Sequence, residues 1–146
     1  MTWTPKTGRN RLYSMMEARA DWVLSRQRAW GVPIPAFYCA SCEKVHCTAE
    51  LVRHVRDVVA RDGADAWFEK DVSELVPPDL ACDCGGTEFR TETDIFDVWF
   101  ESGSSWNAVM RSKDRGYPVD LYLEGSDQHR GWFQLSLLPG LGVTGQ

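Results

Sequence analysis

Two pairs of cysteines set the tightest limit on how this chain can fold. Cys39 and Cys42 stand in CASC, and Cys82 and Cys84 in CDCGG. Each pair fits one tight turn, and the glycines after the second let backbone amides face the sulfurs. Four thiolates are the number that a closed tetrahedral zinc site takes, and one shared ion would tie together both ends of the intervening segment. In a small secreted chain the same pairs would suggest disulfides. Here 146 residues with 43% hydrophobic and 25% charged content supply an ordinary core, which favours a metal. The zinc is expected to be structural, with no open ligand position. His46 and Cys47 read as surface or core residues, and an iron–sulfur centre on the same thiolates stays open.

Charge narrows the partners. Lys+Arg 16 against Asp+Glu 21 leaves a net charge of −5, so the chain lacks the overall basic field of non-specific nucleic-acid binders. Any contact with nucleic acid is therefore local. Residues 1–10 are polar and carry Pro5 and Gly8, unlike a signal peptide, and no run approaches the ~18 apolar residues of a membrane span. The cytosol is the expected compartment, with no membrane partner. Seven Trp are many for this length, and aromatic walls are common in small-molecule pockets.

The chain divides into residues 1–38, a Cys-rich insertion over 39–93 with two helices, and residues 94–146. Helical spacing of Leu12, Met15 and Met16 predicts a helix over 9–19, followed by an extended run at 21–24. In residues 30–35 (WGVPIP) two prolines remove backbone donors, which suits a segment crossing a surface or sheet edge. Thr48 can cap a helix that places Leu51, Val52, Val55, Val58 and Val59 on one face and stops at Gly63. A shorter helix is expected over 64–76, ended by Pro77-Pro78. Residues 94–100 (DIFDVWF) suit a strand. Residues 119–124 (VDLYLE) alternate like a second strand before a Gly125 turn and a helix carrying Trp132, Leu135 and Leu138, running out through Pro139 and Gly140. In an open parallel α/β sheet, that strand–turn–helix junction is where nucleotides bind.

Three segments resemble one family, the class I isoleucyl-tRNA synthetases: residues 22–35 (WVLSRQRAWGVPIP), 97–103 (DVWFESG) and 122–133 (YLEGSDQHRGWF). The resemblance runs from about Arg9 onward. Valyl and leucyl relatives resemble the first segment and differ at the other two, so the isoleucyl reading rests on Trp99 and the 125–133 run. A fragment of such a relative is the nearer alternative. The resemblance implies an α/β fold: part of a Rossmann-like catalytic domain, with residues 94–146 in its second half and the zinc-binding insertion between. It also implies ATP-dependent formation of isoleucyl-adenylate, then transfer to tRNA(Ile), with ATP and Mg serving a monomeric full-length enzyme.

By the same resemblance Glu124, Gly125, Asp127 and Gln128 cradle the adenylate, and Trp99 and Trp132 wall the isoleucine side-chain pocket. Such a slot admits a branched aliphatic chain and excludes bulkier ones by overlap. Read on residues alone, Ser126 or Asp127 is also an ordinary helix cap. Arg26 and Arg28 suit the tRNA acceptor end, since guanidinium groups bind phosphate in bidentate fashion, and equally suit neighbouring carboxylates. The ATP-gripping His motif, the Lys-Met-Ser-Lys-Ser loop, the editing insertion and the anticodon-binding part are absent, which implies an internal fragment. The competing class is a stand-alone zinc-binding interaction module without activity.

Overall fold

The computed structural model describes residues 2–19 and 21–145. The chain forms two compact units, one of Ser25–Phe96 and one of Met1–Leu24 with Asp97–Gln146.

In the first unit, β1 (Ser25–Arg26) pairs antiparallel with β5 (Ile95–Phe96), and a three-stranded antiparallel sheet has the order β3 (Val45–His46), β2 (Phe37–Cys39), β4 (Phe89–Thr91). The proline segment runs along β5, as its missing donors require: Pro33 bridges Ile95, and the Phe96 amide donates to the Val32 carbonyl at 2.8 Å. Against the sheet lies α2 (Ala49–Asp62). The Thr48 hydroxyl accepts from the Leu51 amide at 3.3 Å, and Gly63 ends the helix. Leu51, Val55 and Val58 are buried with Phe37, Ala66, Trp67 and Leu75 in one core, while Val52 lies outside the expected face and is exposed. Each large apolar side chain buried this way contributes ~1.5 to 3 kcal/mol.

The helix expected over 64–76 is two single turns, α3 (Ala66–Glu69) and α4 (Val72–Leu75), because Lys70 and Asp71 turn extended. With that break the Trp67 indole donates to the Glu92 carbonyl at 3.0 Å, and Lys70 Nζ lies 3.3 Å from the Asp62 carboxylate.

The second unit is helical: α1 (Thr7–Glu17), α5 (Val98–Gly103), a π-helical segment Trp106–Arg111, a 3-10 turn Ser126–His129 and α6 (Trp132–Thr144). Two expectations change here. Residues 94–100 are a strand only at Ile95–Phe96, because Asp97 caps α5, its carboxylate accepting from the Trp99 amide at 3.1 Å. Residues 119–124 form no strand, and this unit contains none among its described residues for them to pair with. The expected parallel sheet is therefore not formed, and both sheets are antiparallel. As expected, α6 runs through Pro139 and Gly140, and it ends at Thr144.

Pro139 lacks the N–H that would bond the Leu135 carbonyl, and that carbonyl faces Gly103 on α5. A Cβ on Gly103 would stand 2.3 Å from this oxygen, so only glycine allows the helices their approach.

Candidate functional site

The four cysteines meet as their spacing predicts. β2 delivers Cys39, the turn to β3 carries Cys42, and the loop before β4 brings Cys82 and Cys84 alongside. The Cys39 amide donates to the Lys44 carbonyl at 3.0 Å, and the Cys82 amide to the Gly86 carbonyl at 2.9 Å, closing two knuckles. Lys44 and Asp83 form an ion pair between them.

All four Sγ atoms lie within 4.8 Å of one another, with Cys39–Cys84 and Cys42–Cys82 at 3.6 Å. A disulfide needs ~2.05 Å, whereas a tetrahedron of thiolates at ~2.3 Å from zinc has edges of ~3.8 Å. The donor set fits zinc. Gly86 completes the cradle, because a Cβ there would lie 3.0 Å from the Cys39 sulfur and 3.4 Å from that of Cys84.

The electrostatics agree. The Ser41 amide lowers the Cys39 thiol to about 7. The Lys44 amide favours the Cys42 thiolate, but the hydrogen bonds to Cys84 and Cys82 prevail and push it up to about 12. Four sulfurs so close cannot all ionise without a cation among them, and a divalent ion reverses that repulsion. His46 and Cys47 are not in the cluster: His46 packs edge-on against Phe89 at 5.3 Å, and Cys47 is exposed.

The second candidate lies in the helical unit. Glu124, Gly125 and Trp132 line a cavity of about 640 Å³, together with Trp3, Trp106 and His129. Tyr122 stacks flat on Trp132, ring centroids 3.6 Å apart and planes within 5°, and the Trp132 indole donates to the Ser102 carbonyl at 2.9 Å. The remaining expected residues shape the turn instead of lining the cavity. The Gln128 side chain accepts from the Trp132 amide at 3.0 Å, capping α6, and donates to Asp127 at 2.8 Å. Trp99 lies against Gly131, where a Cβ would stand 3.0 Å from its ring. Trp3 and Trp106 escape sequence reasoning, since neither falls in a recognisable motif. Of the two arginines considered for RNA, Arg26 donates to its neighbour's carbonyl, Ser25, at 2.7 Å, and Arg28 is exposed.

Residues 1–146 match the family described as tRNA synthetases class I (I, L, M and V), and the chain belongs to that family. Among similar members of the family are several isoleucine–tRNA ligases. The chain is 56% identical over 145 residues to the isoleucine–tRNA ligase of Gloeobacter violaceus, covering 98% of this chain and 15% of that protein. For the isoleucine–tRNA ligase of Fervidobacterium nodosum the figures are 51% over 144 residues, 98% and 16%. For that of Petrotoga mobilis they are 53% over 140 residues, 94% and 15%. The chain thus spans 15–16% of the length of these relatives. No helix among its described residues is long and apolar enough to cross a membrane.

Proposed function

We infer that this chain is the part of an isoleucine–tRNA ligase that supplies one side of the isoleucyl-adenylate site and is braced by a structural zinc on Cys39, Cys42, Cys82 and Cys84. The observation that carries the reading is the convergence of Glu124, Gly125 and Trp132 on one aromatic cavity, in a chain resembling such ligases over nearly its whole length. A stand-alone zinc module would have no use for that cavity.

In the reaction, a carboxylate oxygen of isoleucine attacks the α-phosphorus of ATP, and the bond to the bridging oxygen of pyrophosphate breaks. Catalysis is mostly positioning and charge stabilisation, with no protein nucleophile. Gly125 admits the adenylate close to the backbone, while Glu124, Asp127 and Gln128 meet ribose hydroxyls and the substrate ammonium once Gln128 releases Asp127. Trp99 and Trp132 flank the aliphatic side chain. Mg²⁺ enters with ATP, and the acyl group passes to tRNA(Ile), with Arg26 and Arg28 beside its acceptor end. The enzyme so formed is monomeric and cytoplasmic. Residues 119–124 take their place in a Rossmann-like sheet through strands outside this segment, with residues 1–38 leading into that domain and 39–93 inserted in it.

Replacing the matching segment of the Gloeobacter violaceus ligase with this chain tests the reading. Isoleucine-dependent exchange of pyrophosphate into ATP is expected to persist, and Trp132→Ala in the hybrid should raise the KM for isoleucine. A folded, zinc-loaded hybrid without exchange would contradict the assignment.

A further inference from the structure

The four clustered cysteines divide by exposure: Cys39 and Cys82 are buried, while Cys42 and Cys84 reach solvent. The two 3.6 Å contacts run between the knuckles, and each joins one exposed sulfur to one buried sulfur, Cys84 to Cys39 and Cys42 to Cys82. Cysteines that respond to oxidants combine thiolate character, solvent access and a second thiol close enough to close a disulfide. Exposure alone does not set these sulfurs apart, because Cys47 is exposed too. Cys47 stands outside the cluster, however, and has no sulfur partner among the described residues.

We propose that the cluster is a site of reversible oxidation by hydroperoxides: Cys42 and Cys84 react with the peroxide, Cys82 and Cys39 resolve them into two disulfides, and zinc is released. The proposal goes beyond the structural-zinc reading above and rests on it.

A thiol held by zinc is deprotonated at neutral pH, which is the form that attacks peroxide. The exposed sulfur forms a bond to one peroxide oxygen as the O–O bond breaks, giving a sulfenic acid and, after protonation, water. The buried partner then attacks that sulfur, forming the S–S bond and expelling hydroxide, which takes a second proton. Per pair, two thiolates, one hydrogen peroxide and two protons give one disulfide and two waters, so the sulfurs are oxidised by two electrons and the peroxide is reduced by two. Both pairs together consume the four thiolates, and disulfide sulfurs no longer hold the ion. Pairing within each knuckle is disfavoured, because Cys82 and Cys84 would close a ring through Asp83 alone, too small for relaxed disulfide geometry.

Treating the reduced, zinc-loaded chain with a small excess of hydrogen peroxide tests this. Zinc release is followed with a colorimetric indicator, free thiols by alkylation, and linkages by mass spectrometry of the unreduced digest. Each chain should lose four thiols and one zinc, with Cys47 still open to alkylation. Linked peptides should join Cys39 to Cys84 and Cys42 to Cys82, dimedone should trap the sulfenic acid on Cys42 and Cys84, and dithiothreitol with added zinc should restore thiols and metal. Cys47→Ser should respond as wild type does. Linkage of Cys39 to Cys42, disulfides through Cys47, or conversion to sulfinic acids that dithiothreitol cannot reverse would overturn the proposal. A zinc-loaded chain whose cluster resists peroxide would sink the oxidation site and leave the zinc reading standing. A reduced chain that takes up no zinc, yet closes the two disulfides, would sink the zinc reading and keep the oxidation site.

Discussion

The two units differ most in what they bury. The Ser25–Phe96 unit encloses Phe37, Leu51, Val55, Val58, Trp67 and Leu75, whereas Leu12 and Leu135 are the only large apolar residues buried in the helical unit among those described. What the helical unit buries besides is polar: Asp97, Gln134 and Ser136. Asp97 accepts from the Trp22 indole at 3.1 Å as well as capping α5, and Gln134 positions Arg19. Meanwhile Leu121 and Leu123 remain 79% and 86% exposed. One unit closes a core around a sheet pinned at its loops by four thiols. The other spends its interior on hydrogen-bonded positioning around a cavity, and departures from simple apolar packing of this kind are expected where a site is built.

If the thiol cluster is what pins the first unit, removing its metal should separate the two units' behaviour most sharply. Chelation, or Cys82→Ser with Cys84→Ser, should abolish amide protection through β2, β3 and β4 and leave α5 and α6 much less affected, read by hydrogen exchange. Structural zinc contributes up to ~10 to 16 kcal/mol of apparent binding energy in small domains, which makes this the largest effect. Equal loss of protection in both units would break the comparison.

Trp67→Ala comes next. The ring packs 5.1 Å from Phe37 and its indole is hydrogen-bonded, so denaturant unfolding of the zinc-loaded chain should show a destabilisation of ~3 to 5 kcal/mol. In the helical unit, Gly103→Ala forces a Cβ against the Leu135 carbonyl and should cost ~1 to 3 kcal/mol, with increased exchange confined to α5 and α6.

The smallest effect concerns pH. The Tyr38 phenol donates to Glu92 and holds its carboxyl below the usual range. A depressed carboxylate stabilises the fold above its unfolded value of ~4.3, and that contribution is lost as pH falls through the lower folded value. Tyr38→Phe should therefore lower Tm slightly at pH 7, with the difference from wild type shrinking as acid protonates Glu92. The thiol cluster is common to both proteins, so the difference isolates the pair. A gap that widened in acid would contradict the assigned sign.

What is legible in the sequence is whatever depends on neighbours along the chain or on fixed chemistry. The Cys spacing, the Thr48 cap, the apolar face of α2 and the edge role of Pro33 all belong here. What misleads is extended-looking sequence whose pairing is non-local. Residues 119–124 alternate correctly for a strand, yet alternation supplies no hydrogen-bond partner. Residues 97–100 look equally strand-like, but the Asp97 side chain caps the following turn and converts them to helix. Within the site, the 122–133 motif locates Glu124, Gly125 and Trp132 at the cavity. It does not reveal that Gln128 serves α6 as a cap, nor that Trp3 and Trp106 complete the wall, because those placements depend on tertiary packing.

The pinning of the Ser25–Phe96 unit can be tested most directly by X-ray absorption at the zinc edge on the purified chain. The geometry predicts one zinc per chain with four sulfur neighbours at ~2.3 Å and no nitrogen or oxygen ligand. A sulfur count of two, a light-atom ligand from His46 or water, or a zinc-free chain whose β2, β3 and β4 amides are nevertheless protected would contradict it.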